Sequence, residues 1–209
     1  LDDTNRTDVG QGFLFDAVTG NMLHTFNNPT PTGFDRFGHS VAIDEANVLI
    51  GAPFNDAGGA DHGQAYLFDA ATGSLLQTFN DPTATSSDWF GWAVAMDDGK
   101  VLIGAPGDDT IGVNDGQAHL FDGITGNLLE TFSAPNGGCF GGAVAIDGAN
   151  VLIGAPRDNT NGTLAGRAHL FDAASGNLLQ TFDDPIHTRY DQYGHSVAID
   201  GDNLLIGEP

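Results

Sequence analysis

Seventeen residues of this chain return three more times. FGHSVAIDEANVLIGAP at 37–53 comes back as FGWAVAMDDGKVLIGAP at 90–106, FGGAVAIDGANVLIGAP at 140–156 and YGHSVAIDGDNLLIGEP at 193–209. With the phase set just after each GAP proline, the units span 1–53, 54–106, 107–156 and 157–209. The stretches LDDTNRTDVGQGFLFD, FNDAGGADHGQAYLFD, GDDTIGVNDGQAHLFD and RDNTNGTLAGRAHLFD then align without a gap, and each leads through a turn into a second apolar run such as AATGSLLQTF. A period of roughly 50 residues marks supersecondary units that bury their apolar faces against one another, not a duplicated catalytic domain.

Each unit reads as four short strands, typified by FGHSVAID, NVLIGAP, GQAYLFD and SLLQTF. Alternation, β-branched residues and turn punctuation at 44–47 and 71–73 favour strands, and no stretch holds a helical period of useful length. Four antiparallel strands per repeat make a propeller blade, so the predicted fold is an all-β, four-bladed β-propeller in one domain over 1–209. Residue 209 stops where, in the repeat, residue 1 starts. Strands around 11–16 and 21–26 are therefore expected to complete the blade whose inner strands are 193–200 and 203–208, which would remove the open sheet edges. An arc of a longer propeller, or half of an eight-bladed dimer, is the rival. The first strand carries one small face, Gly38, Ser40, Ala42 and Asp44, and a large one, Phe37, Val41 and Ile43. The large face of one blade is expected to meet the small face of the next.

Phe-Gly at 37–38, 90–91 and 140–141, each followed by Gly-Ala-Pro at 51–53, 104–106 and 154–156, resembles the FG-GAP repeats of the integrin alpha-chain β-propeller and its bacterial relatives. Tyr193 and Glu208 depart from the pattern in the last copy. The resemblance covers the whole chain and implies the propeller fold; its members include adhesion receptors, lectins and appendages of secreted enzymes. It also implies a calcium loop, Asp-x-Asp-x-Asp-Gly, between FG and GAP. Here those hairpins read IDEANVLI, MDDGKVLI, IDGANVLI and IDGDNLLI, too short to wrap calcium, so no cofactor is expected in them.

A net charge of -22, from 28 acids against six bases, argues against nucleic acid as partner, because phosphate neutralisation needs Lys and Arg. No long apolar run suggests membrane insertion. Cys139 stands alone, so no intrachain disulfide can form, and it is expected to be inert. No nucleophile elbow, zinc-binding helix pattern or phosphate loop occurs, and His119 and His169 hold a strand position that Phe13 and Tyr66 hold elsewhere, which reads as packing. The leading reading is a non-enzymatic, extracellular or periplasmic binding domain, adhesion-like or lectin-like, with a protein or glycan partner. A structural module of a larger secreted protein comes second, and a hydrolase or lyase third.

Asp44, Asp97, Asp147 and Asp200 end the four innermost strands and could converge on an axial cation such as calcium; the competing reading has each Asp capping its own hairpin turn. The Asx pairs after each GAP, Asn55 with Asp56, Asp108 with Asp109 and Asp158 with Asn159, read as turn formers first. The repeats disagree most at the junctions NNPTPTGFDRFGH, NDPTATSSDWFGW, SAPNGGCFGG and DDPIHTRYDQYGH, where Asp35, Asp88 and Asp191 are expected to cap. Ligands favour such loop faces. The short third junction, with Gly141 and Gly142 beneath it, predicts a notch flanked by Trp89 and Trp92 on one side and Arg189, Tyr190 and His195 on the other. Aromatic faces beside polar donors suit a sugar ring or a peptide side chain. His39, the counterpart of Trp92, is expected to matter less.

Overall fold

A computed structural model describes residues 9–44, 46–83, 85–112, 115–134, 136–186 and 189–209. The described residues are all-β. A two-stranded sheet of β1 (Gln11–Phe15) and β2 (Met22–Asn27) comes first. Three four-stranded antiparallel sheets follow: β3 (Ser40–Asp44), β4 (Asn47–Ala52), β5 (Gln64–Asp69) and β6 (Leu75–Asn80); β7 (Ala93–Asp97), β8 (Lys100–Ala105), β9 (Gln117–Asp122) and β10 (Leu128–Phe132); β11 (Ala143–Asp147), β12 (Asn150–Ala155), β13 (Arg167–Asp172) and β14 (Leu178–Asp183). A second two-stranded sheet, β15 (Ser196–Asp200) and β16 (Asn203–Gly207), ends the chain.

Each strand pairs with its sequence neighbour, as short hairpins dictate, and the register is identical in the three full blades: Leu49 faces Leu67, Leu102 faces Leu120, Leu152 faces Leu170. The outer hairpins are tied by one device. Asp69 accepts from the amide and hydroxyl of Thr72, which hold its carboxyl below the usual range, and Asp122 with Thr125 and Asp172 with Ser175 repeat it.

The core lies between blades. β3 packs on β7, β7 on β11 and β11 on β15, and Ala42 of one small face shares a cluster with Val94 and Met96 of the next large face, as the alternation predicts. Glycines set the spacing. A Cβ on Gly51 would strike the carbonyl oxygen of Gly91, one on Gly104 that of Gly141, and one on Gly154 that of Gly194. The glycine of each GAP therefore rests on the glycine of the following blade's aromatic-Gly pair, which is why the two halves of the repeat carry them together.

Closure within one chain is corrected by the structure. β1 pairs with β2 and β15 with β16 in separate sheets, so the two half-blades do not merge. The faces a closing blade would cover are open: Val41 and Ile43 are 63% and 61% exposed and Leu205 is 73%, whereas Leu49, the counterpart of Leu205, is at 0%. Three such glycine contacts lead from the blade of β3–β6 to β15 and β16 without bringing β16 back to β1.

Candidate functional site

The junction loops approach the inner strands through an unusual backbone. The residue before each aromatic-Gly pair is left-handed in all four repeats: Arg36 (φ 53), Trp89 (φ 57), Cys139 (φ 57) and Gln192 (φ 53). Phe34, Ser87 and Tyr190, two residues earlier, are left-handed as well, and Gly137 takes that place in the third junction. Between them Asp35 and Asp88, both fully buried, accept from the amide and hydroxyl of Thr32 and Thr85, so they cap the turn as predicted. This alternation leaves Arg36 exposed and Trp89 and Gln192 half-buried, while Cys139 stays buried. Left-handed backbone costs a non-glycine residue about 1 kcal/mol or more.

Two of those side chains build an aromatic patch. Trp89 and Trp92 lie with ring centroids 5.7 Å apart; Phe54 stands 6.3 and 6.2 Å from them, His39 stands 4.6 Å from Trp92, and the Arg36 guanidinium sits 4.6 Å above the Phe54 ring. Burial, and then the charge of Arg36, hold His39 below the usual imidazole range, so it is neutral at pH 7. His39, set apart by sequence reasoning, thus belongs with the tryptophans. A cleft of about 480 Å³ lined by Arg36, Phe37, Gly38 and His39 adjoins the patch. Arg189, Tyr190 and His195 are exposed on the last junction, and Gly142 is half-buried beside Pro156. The signal for Phe54 was its place directly after a GAP proline, where the other repeats carry Gly107 and Arg157.

The acidic positions resolve differently. Asp97 accepts from the Gly148 amide at 2.6 Å and Asp147 from the Gly201 amide at 2.5 Å, so each carboxylate ties its strand to the turn of the next blade, not its own. Asp44 is half-buried and Asp200 exposed. Among the described residues, the trios with metal-capable atoms within 4.8 Å of one another are Asp81, Asp108 and His119, and Asp184, Asp191 and Glu208, not the strand-end aspartates. Asn55, Asp108 and Asp158 each close an Asx turn through Oδ1, accepting from Ala57, Thr110 and Thr160, yet all three are buried. Burial raises the Cys139 thiol above its ordinary value, which suits an inert residue.

The blades and their glycine contacts define a propeller-type repeat protein. The FG-GAP repeat model matches residues 31–68, 79–121 and 136–171, together more than half of the chain, and the chain belongs to the FG-GAP repeat family. No curated protein matches it. Among solved structures it is similar to the computationally designed Ika8 protein, at 18% identity and a TM-score of 0.63 over 96% of this chain. The match spans 50% of that designed chain. No helix is long and apolar enough to cross a membrane among the described residues.

Proposed function

We propose that this chain is a non-enzymatic extracellular or periplasmic interaction module that holds a glycan or peptide against Arg36, His39, Phe54, Trp89 and Trp92. One observation carries the reading: Arg36 and Trp89 occupy left-handed backbone that glycine would adopt without penalty, and both contribute to one aromatic patch. Large side chains at strained positions serve something other than stability. Glycan arrays and peptide libraries with purified protein test it. Trp89→Ala, Trp92→Ala and His39→Ala should each weaken binding about tenfold, the 1.4 kcal/mol of a modest hot spot, with the circular dichroism spectrum unchanged. The rival seat is the last junction with Gly142, Arg189, Tyr190 and His195. Binding that survives both Trp changes and fails in Tyr190→Ala would move the site there.

The open ends favour a second, structural reading, in which β16 of one copy pairs with β1 of another and the reverse pairing completes the ring. The three full blades supply the register: Leu49 opposite Leu67 translates to Leu205 opposite Leu14, and Ile50 opposite Tyr66 to Ile206 opposite Phe13. Phe13 and Phe15 are 55% and 56% exposed where their counterparts Tyr66 and Phe68 are at 0% and 4%. Such an end-to-end pair removes both sheet edges. Light scattering should give twice the 21.7 kDa chain mass, and Leu205→Asp should halve it. A wild-type monomer at high micromolar concentration rules the pairing out.

A further inference from the structure

One pocket recurs at three junctions with three sets of residues. The loop after the outer strand, the residue two beyond the GAP proline and the middle of the third strand bring together Asn28, Asn55 and Tyr66 at the first, Asp81, Asp108 and His119 at the second, and Ala134, Asp158 and His169 at the third. At the first, the Asn28, Asn55 and Tyr66 side chains all find hydrogen-bond partners. The Tyr66 hydroxyl lies 2.6 Å from Thr30 Oγ1, donates to Gln64 Oε1 at 2.5 Å and accepts from Asn55 Nδ2 at 3.3 Å, while Asn28 Nδ2 donates to Asp35 at 2.9 Å.

The second pocket has the same walls and the opposite outcome. Asp81 Oδ2, His119 Nε2 and Gln117 Oε1 are buried without a hydrogen-bond partner, although Gln117 is the counterpart of the fully engaged Gln64. Asp81 is 8% exposed, Asp108 1% and His119 0%, and the candidate ligand atoms of the three lie within 4.8 Å of one another, with His119 Nε2 3.7 Å from Asp81 Oδ1. The ligand atoms are already aimed. Thr131 Oγ1 lies 3.1 Å from His119 Nδ1 and leaves Nε2 facing the carboxylates; the Thr83 hydroxyl donates to Asp81 Oδ1 at 3.0 Å or to Asp108 Oδ2 at 2.8 Å. Buried carboxylates without a counter-charge are costly, and a dication supplies that charge.

We propose that Asp81, Asp108 and His119 bind one divalent transition-metal ion, with zinc preferred. An imidazole nitrogen with two carboxylates and few ligands suits Zn²⁺, and Mn²⁺ more weakly, while Ca²⁺ asks for six to eight oxygens. The site straddles the blade of β3–β6 and that of β7–β10, beneath the loop that carries Trp89 and Trp92.

The test titrates chelator-treated protein with ZnCl₂, MnCl₂ and CaCl₂ by calorimetry and thermal melting. Zn²⁺ should bind at one equivalent per chain and raise the melting temperature by about 5 °C or more at hundredfold excess over Kd, and Ca²⁺ should not. The triple variant Asp81→Asn, Asp108→Asn, His119→Tyr installs the set that the first junction already folds around, so it should keep the spectrum of the wild type and lose the zinc shift. Equal zinc binding by the triple variant, as would follow from a site at Asp184, Asp191 and Glu208, overturns the assignment, and so does a wild type that takes up no zinc.

Discussion

Gly104→Ala is expected to cost on the order of 3 kcal/mol, close to the whole margin of a weakly stable domain. Its Cβ would fall far inside van der Waals contact with the Gly141 carbonyl oxygen, and the obstacle is backbone of the next blade, which no rotamer change can clear. To admit the methyl group, β11 must retreat from β8. That retreat opens the cluster in which Leu102 packs with Ile146, Val151 and Ile153. Gly51→Ala and Gly154→Ala meet the same carbonyl in their own junctions and should cost as much. Gly148→Ala is the control: its φ of 58 makes alanine uncomfortable by about 1 kcal/mol, but nothing lies within 4 Å of the added carbon. Urea denaturation ranks the four. If Gly104→Ala falls no further than Gly148→Ala, the blades are not held by glycine on carbonyl, and the repeat's two motifs need another explanation.

The features that were legible in the sequence are local or repeat at every junction. Strands at 40–44, 47–52, 64–69 and 75–80 follow from alternation and turn residues, and the inner-strand faces follow from small residues every second position. Closure was not legible, because it depends on the sum of several rotations between blades, and no residue encodes a sum. The strand-end aspartates illustrate a second kind of blindness: capping is readable, but the capped turn belongs to the adjacent blade, so Asp97 reaches Gly148 across 51 residues. The Asx residues after GAP were half read. Oδ1 closes a turn as expected; the other polar atom, Nδ2 in Asn55 and Oδ2 in the two aspartates, faces a pocket that only the stacking of two blades creates. A signal did exist, since the partner of Asn55 is Tyr66 while Asp108 and Asp158 are paired with His119 and His169, so the positions change together inside one chain. Left-handed backbone at Arg36, Trp89, Cys139 and Gln192 had none, because none of these residue types advertises it.

Between pH 10 and 12 the protein is expected to lose about 2 kcal/mol of stability through Tyr66 alone, the larger part of what a shift of two pH units at 1.36 kcal/mol each can supply. Its side chain is fully buried, and burial, offset in part by the hydrogen bond with Thr30 and reinforced by Asp35, pushes the phenol up to about 12 from the 10.0 of an exposed tyrosine. The sign follows from proton counts. Below pH 10 the phenol is protonated in both states and stability does not depend on it. Above pH 10 the unfolded chain gives up this proton while the folded chain keeps it, so the folded state binds more protons and unfolding becomes easier with each unit, until the folded phenol ionises near 12. Tyr193 is raised in the same direction but is half-exposed, so solvent screening leaves it a smaller share. Tyr66→Phe separates these contributions. At pH 7 it should destabilise by about 1–3 kcal/mol, because Thr30, Gln64 and Asn55 each lose a partner and the last two are buried. Between pH 10 and 12 its urea midpoint should then change far less than that of the wild type. An alkaline slope that persists undiminished in Tyr66→Phe would place the titrating group elsewhere and remove the neutral, self-satisfied network from the account of the first junction.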